Sequence, residues 1–266
     1  MTSSTTAAAA SVQPPIIHNR VPKVTVDFWI VKLLAVTVGE TAADFLAQNM
    51  GLGLTDTSLV MSGVLVMALV AQFAQKRYVP WSYWITVVLV SVVGTLITDN
   101  LVDNLSISLE TTSLAFAIAL AATFAAWYGV EKTLSIHTIY TTSREAFYWL
   151  AILLTFALGT AAGDLLAESL GLGYLQSGLA YGAAIAAIVF GFYALSMNAI
   201  LAFWLAYILT RPMGASFGDL LSQPVPDGGL GLGTVTTSVA FLACIAGTIV
   251  YMTVFRSGDE IGVKRY

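Results

Sequence analysis

The chain has 266 residues, 58% of them hydrophobic and only 10% charged, with a mean hydropathy of +0.83 and a formal net charge of −4. Soluble domains carry about 25% charged residues, so an ordinary globular protein is excluded, and a net negative charge without a basic block leaves no nucleic-acid footprint. The single cysteine, Cys244, forms neither an internal disulfide nor a thiolate cluster, and the two histidines, His18 and His137, lie outside the apolar runs, which argues against haem ligation within them.

Residues 1–25 are rich in Thr, Ser and Ala, with Pro14 next to Pro15. They lack the basic start and apolar core of a signal peptide and are expected to form a disordered cytoplasmic tail. Eight apolar runs follow, near 26–49, 57–75, 81–104, 112–131, 146–169, 177–196, 199–222 and 235–255, and residues 256–266 make a second tail. Each run has about the 20 residues that cross a bilayer core as a helix. None alternates as barrel strands do. The expected fold is all-α, a polytopic membrane protein of eight transmembrane helices.

Basic residues set the expected orientation. Arg20 and Lys23 precede the first run, Lys76 and Arg77 join the second to the third, Lys132 and Arg144 join the fourth to the fifth, and Arg256, Lys264 and Arg265 follow the last. Lys32, one turn inside the first run, is expected to snorkel to the same side. The connections around Gly51, Ser106, Gly171 and Gly229 contain no Lys or Arg. The positive-inside rule then places both termini in the cytoplasm.

An aromatic–Trp pair occurs four times, as Phe28–Trp29, Tyr83–Trp84, Tyr148–Trp149 and Phe203–Trp204. Ten residues after each Trp stands Gly39, Gly94, Gly159 or Gly214. Five further on stands Asp44, Asp99, Asp164 or Asp219, then Leu46, Leu101, Leu166 or Leu221. The glycines are spaced 55, 65 and 55 residues apart, the mark of a helix pair duplicated twice. The turn Gly51-Leu52-Gly53 recurs at Gly171–Gly173 and, after a five-residue insertion, at Gly231–Gly233. Two runs per repeat mean that all four repeats, about 26–75, 81–131, 146–196 and 199–255, enter the membrane in one direction. They should form parallel repeats with pseudo-four-fold symmetry about the membrane normal, arranged as a duplicated pair. The Trp residues are expected in an interfacial aromatic belt, the four glycines at close helix contacts, and Thr57-Ser58, Thr112-Ser113, Ser177 and Thr237-Ser238 as caps of the even-numbered helices.

Carboxylates inside a membrane are functional candidates by default. Around the repeat aspartates lie Glu40, Thr95 and Thr160 one turn to one side, with Ala215 the exception, and Gln48, Asp103, Glu168 and Gln223 one turn to the other. Residues four apart share a helix face, so each odd-numbered helix carries a polar stripe. Stripes turned to a common interior would bring Asp44, Asp99, Asp164, Asp219, Glu40, Asp103 and Glu168 together, where their repulsion is relieved by cations or shared protons. Oxygen ligands select hard cations such as Mg²⁺, Mn²⁺ or Ca²⁺. Arg211, followed by Pro212, is the one basic residue deep in a run, and is expected to pair with a repeat aspartate, act as a gate, or form a structural ion pair.

The fourfold pattern, carried by Gly39-Glu40-Thr41-Ala42-Ala43-Asp44, Gly94-Thr95-Leu96-Ile97-Thr98-Asp99-Asn100 and Gly214-Ala215-Ser216-Phe217-Gly218-Asp219, resembles a family of bacterial membrane-anchored proteins built from a repeated domain of unknown function. The resemblance covers about residues 26–255 and implies a multi-pass protein of the bacterial cytoplasmic membrane. It implies no activity. On the residues alone, the expectation is a cation transporter or channel, with a divalent ion as cargo and the seven carboxylates as its ligands. The alternatives are proton-coupled transport of a small organic substrate and a structural or accessory membrane protein. An enzyme is not expected, because the runs contain no nucleophile–base pair or phosphate-cradling loop. No covalently bound cofactor and no nucleic-acid partner are expected; the expected partners are lipid and an inorganic cation or protons, and the pattern leaves room for a homo-oligomer.

Overall fold

A computed structural model of the chain describes residues 17–255 and 262–263. Residues 1–16, 256–261 and 264–266, among them Arg256, Lys264 and Arg265, lie outside the described residues, as do the side chains of Ile17, Gln48, Asn49, Phe255 and Val263. The described chain forms eight long helices: α1 (Val26–Asp44), α2 (Leu54–Phe73), α3 (Pro80–Asp99), α4 (Leu109–Glu131), α5 (Thr142–Asp164), α6 (Tyr174–Ala194), α7 (Ala199–Ser222) and α8 (Thr234–Phe255). Directly after Asp44, Asp99 and Asp164, the chain continues through one π-helical turn, at Phe45–Asn49, Asn100–Asn104 and Leu165–Ser169. A two-residue antiparallel ladder joins Ile17–His18 to Gly262–Val263.

α2, α4 and α6 each begin three residues before the position read from the sequence. Gly53 and Gly173, both at φ +76°, hold the left-handed turn that launches α2 and α6, and Ser108 caps α4 through the Thr111 amide. The hydroxyls of Thr57, Thr112, Ser177 and Thr237 therefore do not cap. They sit one turn inside their helices and are buried. α7 runs through Pro212 without a break in its helical span.

Among the described residues, α2 to α8 are seven helices long and apolar enough to cross a membrane. α1 is long enough but too charged, because every 18-residue window of Val26–Asn49 holds at least three of Asp27, Lys32, Glu40 and Asp44. Its charge is accommodated by its position. α1, α3, α5 and α7 form a closed ring, each packing on two others, while α2, α4, α6 and α8 lie outside it. The outer helices expose rows of apolar side chains, including Leu59, Val66, Ile118, Phe190 and Val239, as lipid-facing helices do.

The packing is offset by one repeat. α2 lies on α3, α4 on α5, α6 on α7, and α8 returns to α1. The helices of one repeat thus scarcely pack on each other; each repeat lends its outer helix to the next.

The repeat glycines create the inner contacts. A methyl group on Gly39 would strike Ser91, one on Gly94 would strike Phe156, one on Gly159 would strike Arg211, and one on Gly214 would strike Val36. In each case the neighbour stands three residues before the next repeat's glycine, so one contact recurs around the whole ring. Close backbone approach lets hydroxyls reach across: Thr37 Oγ1 donates to Gly214 O at 3.2 Å and Thr98 Oγ1 to Ala157 O at 2.9 Å.

Candidate functional site

The polar stripes of α1, α3, α5 and α7 meet at the end of the ring opposite the chain termini. Glu40, Asp44, Asp99, Asp103, Asp164, Glu168 and Asp219 line a single cavity of about 150 Å³, together with Thr98 and Gln223. Its walls come from all four odd helices because the G-x4-D spacing puts each aspartate at the same height beyond the ring's glycine contact. The cavity is graded in depth. Asp103 and Glu168, on the π turns, are exposed, whereas Asp219 and Glu40 are buried at 6% and 5% exposure. Gln223 Nε2 donates to Asp44 Oδ2 at 3.2 Å and Tyr174 OH to Glu168 Oε1 at 3.3 Å. Among the described residues no group of three or more His, Cys, Asp or Glu side chains has the arrangement of a metal centre.

The floor of this cavity is an ion pair. Arg211, fully buried, reaches across the axis from α7 and places Nη1 at 2.9 Å from Glu40 Oε2. The same guanidinium donates to Thr160 Oγ1 at 2.8 Å, to Thr95 Oγ1, and to Val36 O at 3.3 Å, so one side chain engages α1, α3 and α5. Arg211 stands where the other repeats have Val36, Ser91 and Phe156, and Ala215 where they have Glu40, Thr95 and Thr160. Arg211 therefore pairs with Glu40 rather than with a repeat aspartate.

Beneath the ion pair the axis is filled. Lys32 does not snorkel outward: it is fully buried, with Nζ 2.9 Å from Tyr207 O and 3.9 Å from the centre of the Tyr207 ring. Phe156 and Tyr207 stack at 6.3 Å. Closer to the termini, Tyr83 and Tyr148 share a hydrogen bond of 2.5 Å between their hydroxyls, and Phe28 packs on Phe203. Trp84, Trp149 and Trp204 are buried within this layer rather than spread as an interfacial belt, because aromatic and apolar neighbours from adjacent helices cover them; Trp29 alone of the four is partly open. Trp84 Nε1 donates to Tyr78 OH and Trp204 Nε1 to Leu134 O. Tyr78 lies in the α2–α3 connection, where burial pushes its hydroxyl pKa up.

Residues 17–25, read from the sequence as part of a tail, are packed across the terminal end of the ring. Asn19 Nδ2 donates to Ile136 O at 2.9 Å, Arg20 N to Ile139 O at 2.8 Å, and Tyr78 N to Asn19 O at 3.0 Å. Arg20 Nη1 meets Glu145 Oε2 at 2.6 Å, and Gln72 Nε2 reaches Glu145 Oε1 at 3.3 Å. Glu145, Gln72 and Ser82 stand outside the fourfold pattern, which gives no hint of this cluster. The one signal is an acid, Glu145, beside Arg144 at a helix start.

A ring of four parallel inner helices, acidic at one end and wrapped by apolar helices, defines a helical membrane protein built by repetition. The chain belongs to the family of the Repeat of Unknown Function (DUF347), whose model matches it four times, over residues 28–78, 82–133, 147–197 and 202–257. No curated protein and no solved structure matches the chain.

Proposed function

We propose that the chain is a non-enzymatic carrier of cations, with eight spans in a bacterial cytoplasmic membrane, both termini in the cytoplasm, and the acidic cavity facing outward. Although α1 is the most charged helix, its equal share in the ring with α3, α5 and α7 supports its role as the eighth span. The observation that carries the functional reading is the convergence of seven carboxylates on one cavity above a closed axis. Such a cavity concentrates cations by its field. The Arg211–Glu40 pair, Lys32 and the stacked aromatics below it favour a carrier over an open pore. A divalent ion such as Mg²⁺, Mn²⁺ or Ca²⁺ would be held with part of its water shell, since Mg²⁺ in particular sheds water reluctantly and needs few protein ligands. Repeat aspartates bind; Asp103 and Glu168, nearer the mouth, attract.

The test is uptake of Mn²⁺, Mg²⁺ or Ca²⁺ into vesicles containing the purified protein, with Asp99→Asn and Asp164→Asn compared with wild type. A loss of uptake in both variants supports the reading, and undiminished flux overturns it. Substrate-driven acidification without a metal requirement would instead support proton-coupled transport of an organic molecule. The apolar cavity of about 670 Å³ beside Trp29 and Phe203 is the feature favouring that reading.

A further inference from the structure

The inner ring is closed at its terminal end by chain that belongs to no helix. Between the Ile17–His18 ladder and the start of α1 at Val26, the chain lies against the α2–α3 connection through Asn19 and Tyr78. It also lies against the α4–α5 connection through Ile136 and Ile139, and against the first turn of α5 through Glu145. It then enters α1. Because α1 and α5 are diagonal partners in the ring, each touching α3 and α7, the segment crosses the mouth of the ring from one corner to the opposite one. Val21 joins the same apolar cluster as Phe28, Tyr83 and Tyr148. The segment is thus a cover seated on the aromatic layer.

The fastening of this cover is polar and concentrated. Glu145 is fully buried, and its two oxygens are held by Arg20 at 2.6 Å and Gln72 at 3.3 Å; Ser82 Oγ donates to Gln72 Oε1 at 2.9 Å. Arg20 Nη1, on the side of the cover, is the contact through which the cover grips this buried charge. We propose that residues 17–25 are a releasable lid over the terminal mouth of the ring, latched by Arg20 on Glu145, and that the lid opens when the carrier discharges its cargo on that side. The coupling to cargo rests on the cation-carrier reading above; the latch itself rests only on the contacts described. An apolar segment without charged contacts would make a permanent plug. A segment fastened by a few hydrogen bonds to neighbouring connections and by the Arg20–Glu145 ion pair, six residues before the start of α1, can swing about residues 22–25 once that pair parts, while α1 stays in the ring.

Labelling of a buried thiol tests the lid. In a Cys244→Ser background, Ser82→Cys places a thiol at the far end of the Arg20–Glu145–Gln72–Ser82 row. Thr155→Cys places one in the ring interior as a control for unfolding. A membrane-impermeant thiol reagent is applied to the terminal face of the reconstituted full-length protein. Loss of the charge-assisted hydrogen bonds in Arg20→Ala should speed labelling of Ser82→Cys by roughly ten- to a hundredfold, Arg20→Lys should speed it far less, and Thr155→Cys should stay unlabelled in both. Equal labelling of Ser82→Cys with and without Arg20 overturns the lid, and so does labelling of Thr155→Cys in parallel, which would make Arg20 a fold-wide contact. With the native lid, adding Mn²⁺ to the opposite face should accelerate labelling. If Arg20→Ala opens the lid and Mn²⁺ has no effect, the latch stands and the cation reading falls.

Discussion

The two ends of the inner ring are made by the same four helices and differ in almost everything else. At the terminal end, each repeat contributes large rings that touch: Phe28, Tyr83, Tyr148 and Phe203 with their tryptophans, sealed by Val21. At the other end, each contributes a carboxylate, and the centre is an open cavity. Repetition explains the difference. In a ring, a residue repeated four times meets its own copies, so an aromatic position becomes an aromatic stack and an acidic position becomes a charge cluster. Aromatic rings attract in edge and tilted arrangements. Like charges repel. One end is therefore a closure and the other an opening, and the Arg211–Glu40 pair marks the border.

The comparison can be broken most forcefully at that border. Arg211→Met leaves Glu40 buried without its partner and should cost about 3–5 kcal/mol of stability, whereas Arg211→Met combined with Glu40→Gln should recover much of the loss. Thermal melting in detergent checks both, and a double variant no better than the single one contradicts the pairing. In the closed end, Trp84→Ala should cost about 3–5 kcal/mol by the same measurement. Trp29→Ala should cost clearly less, because Trp29 borders a cavity instead of filling the core. Gly39→Ala and Gly214→Ala force the ring apart at Ser91 and Val36 and should each cost about 1–3 kcal/mol. In the open end the sign reverses: Asp99→Asn in cation-free buffer should raise stability by about 1–2 kcal/mol through relief of repulsion at an effective dielectric constant of about 20. It should also blunt any stabilisation by added Mn²⁺. The smallest effect is the control, Gly63→Ala on the lipid side of α2, where no atom lies within 4 Å of the new methyl and propensity alone should add up to about 1 kcal/mol.

The repeat made much of this legible from sequence. Identical spacing from Gly39 to Asp44, Gly94 to Asp99, Gly159 to Asp164 and Gly214 to Asp219 is enough to put four carboxylates at one height, given a ring. Local rules also gave helix boundaries to within a few residues. What escaped were pairings between residues far apart in the chain. Lys32 with Tyr207 and Glu40 with Arg211 are separated by about 170 residues or more, and nothing in the neighbourhood of either residue reveals the other. Charge near a helix end usually implies exposure, which points Lys32 outward, and the Thr-, Ser- and Ala-rich composition of residues 1–25 hides the packed stretch at 17–25. The three π turns after Asp44, Asp99 and Asp164 have no compositional signature, and the offset packing of outer helices is invisible to any count made within a repeat.

That offset has a consequence for biosynthesis. α1 is made well before α7 and α8 and is the least able of the eight helices to settle in lipid, yet the carbonyl that accepts from Lys32 and the guanidinium that pairs with Glu40 sit on α7, and the helix that shields its outer face is α8. α1 is thus completed by helices made about 170 residues later or more. Until α7 arrives, α1 must wait in a polar environment, at the insertion machinery or the membrane surface, and truncation before α7 should leave a chain that is inserted but not assembled.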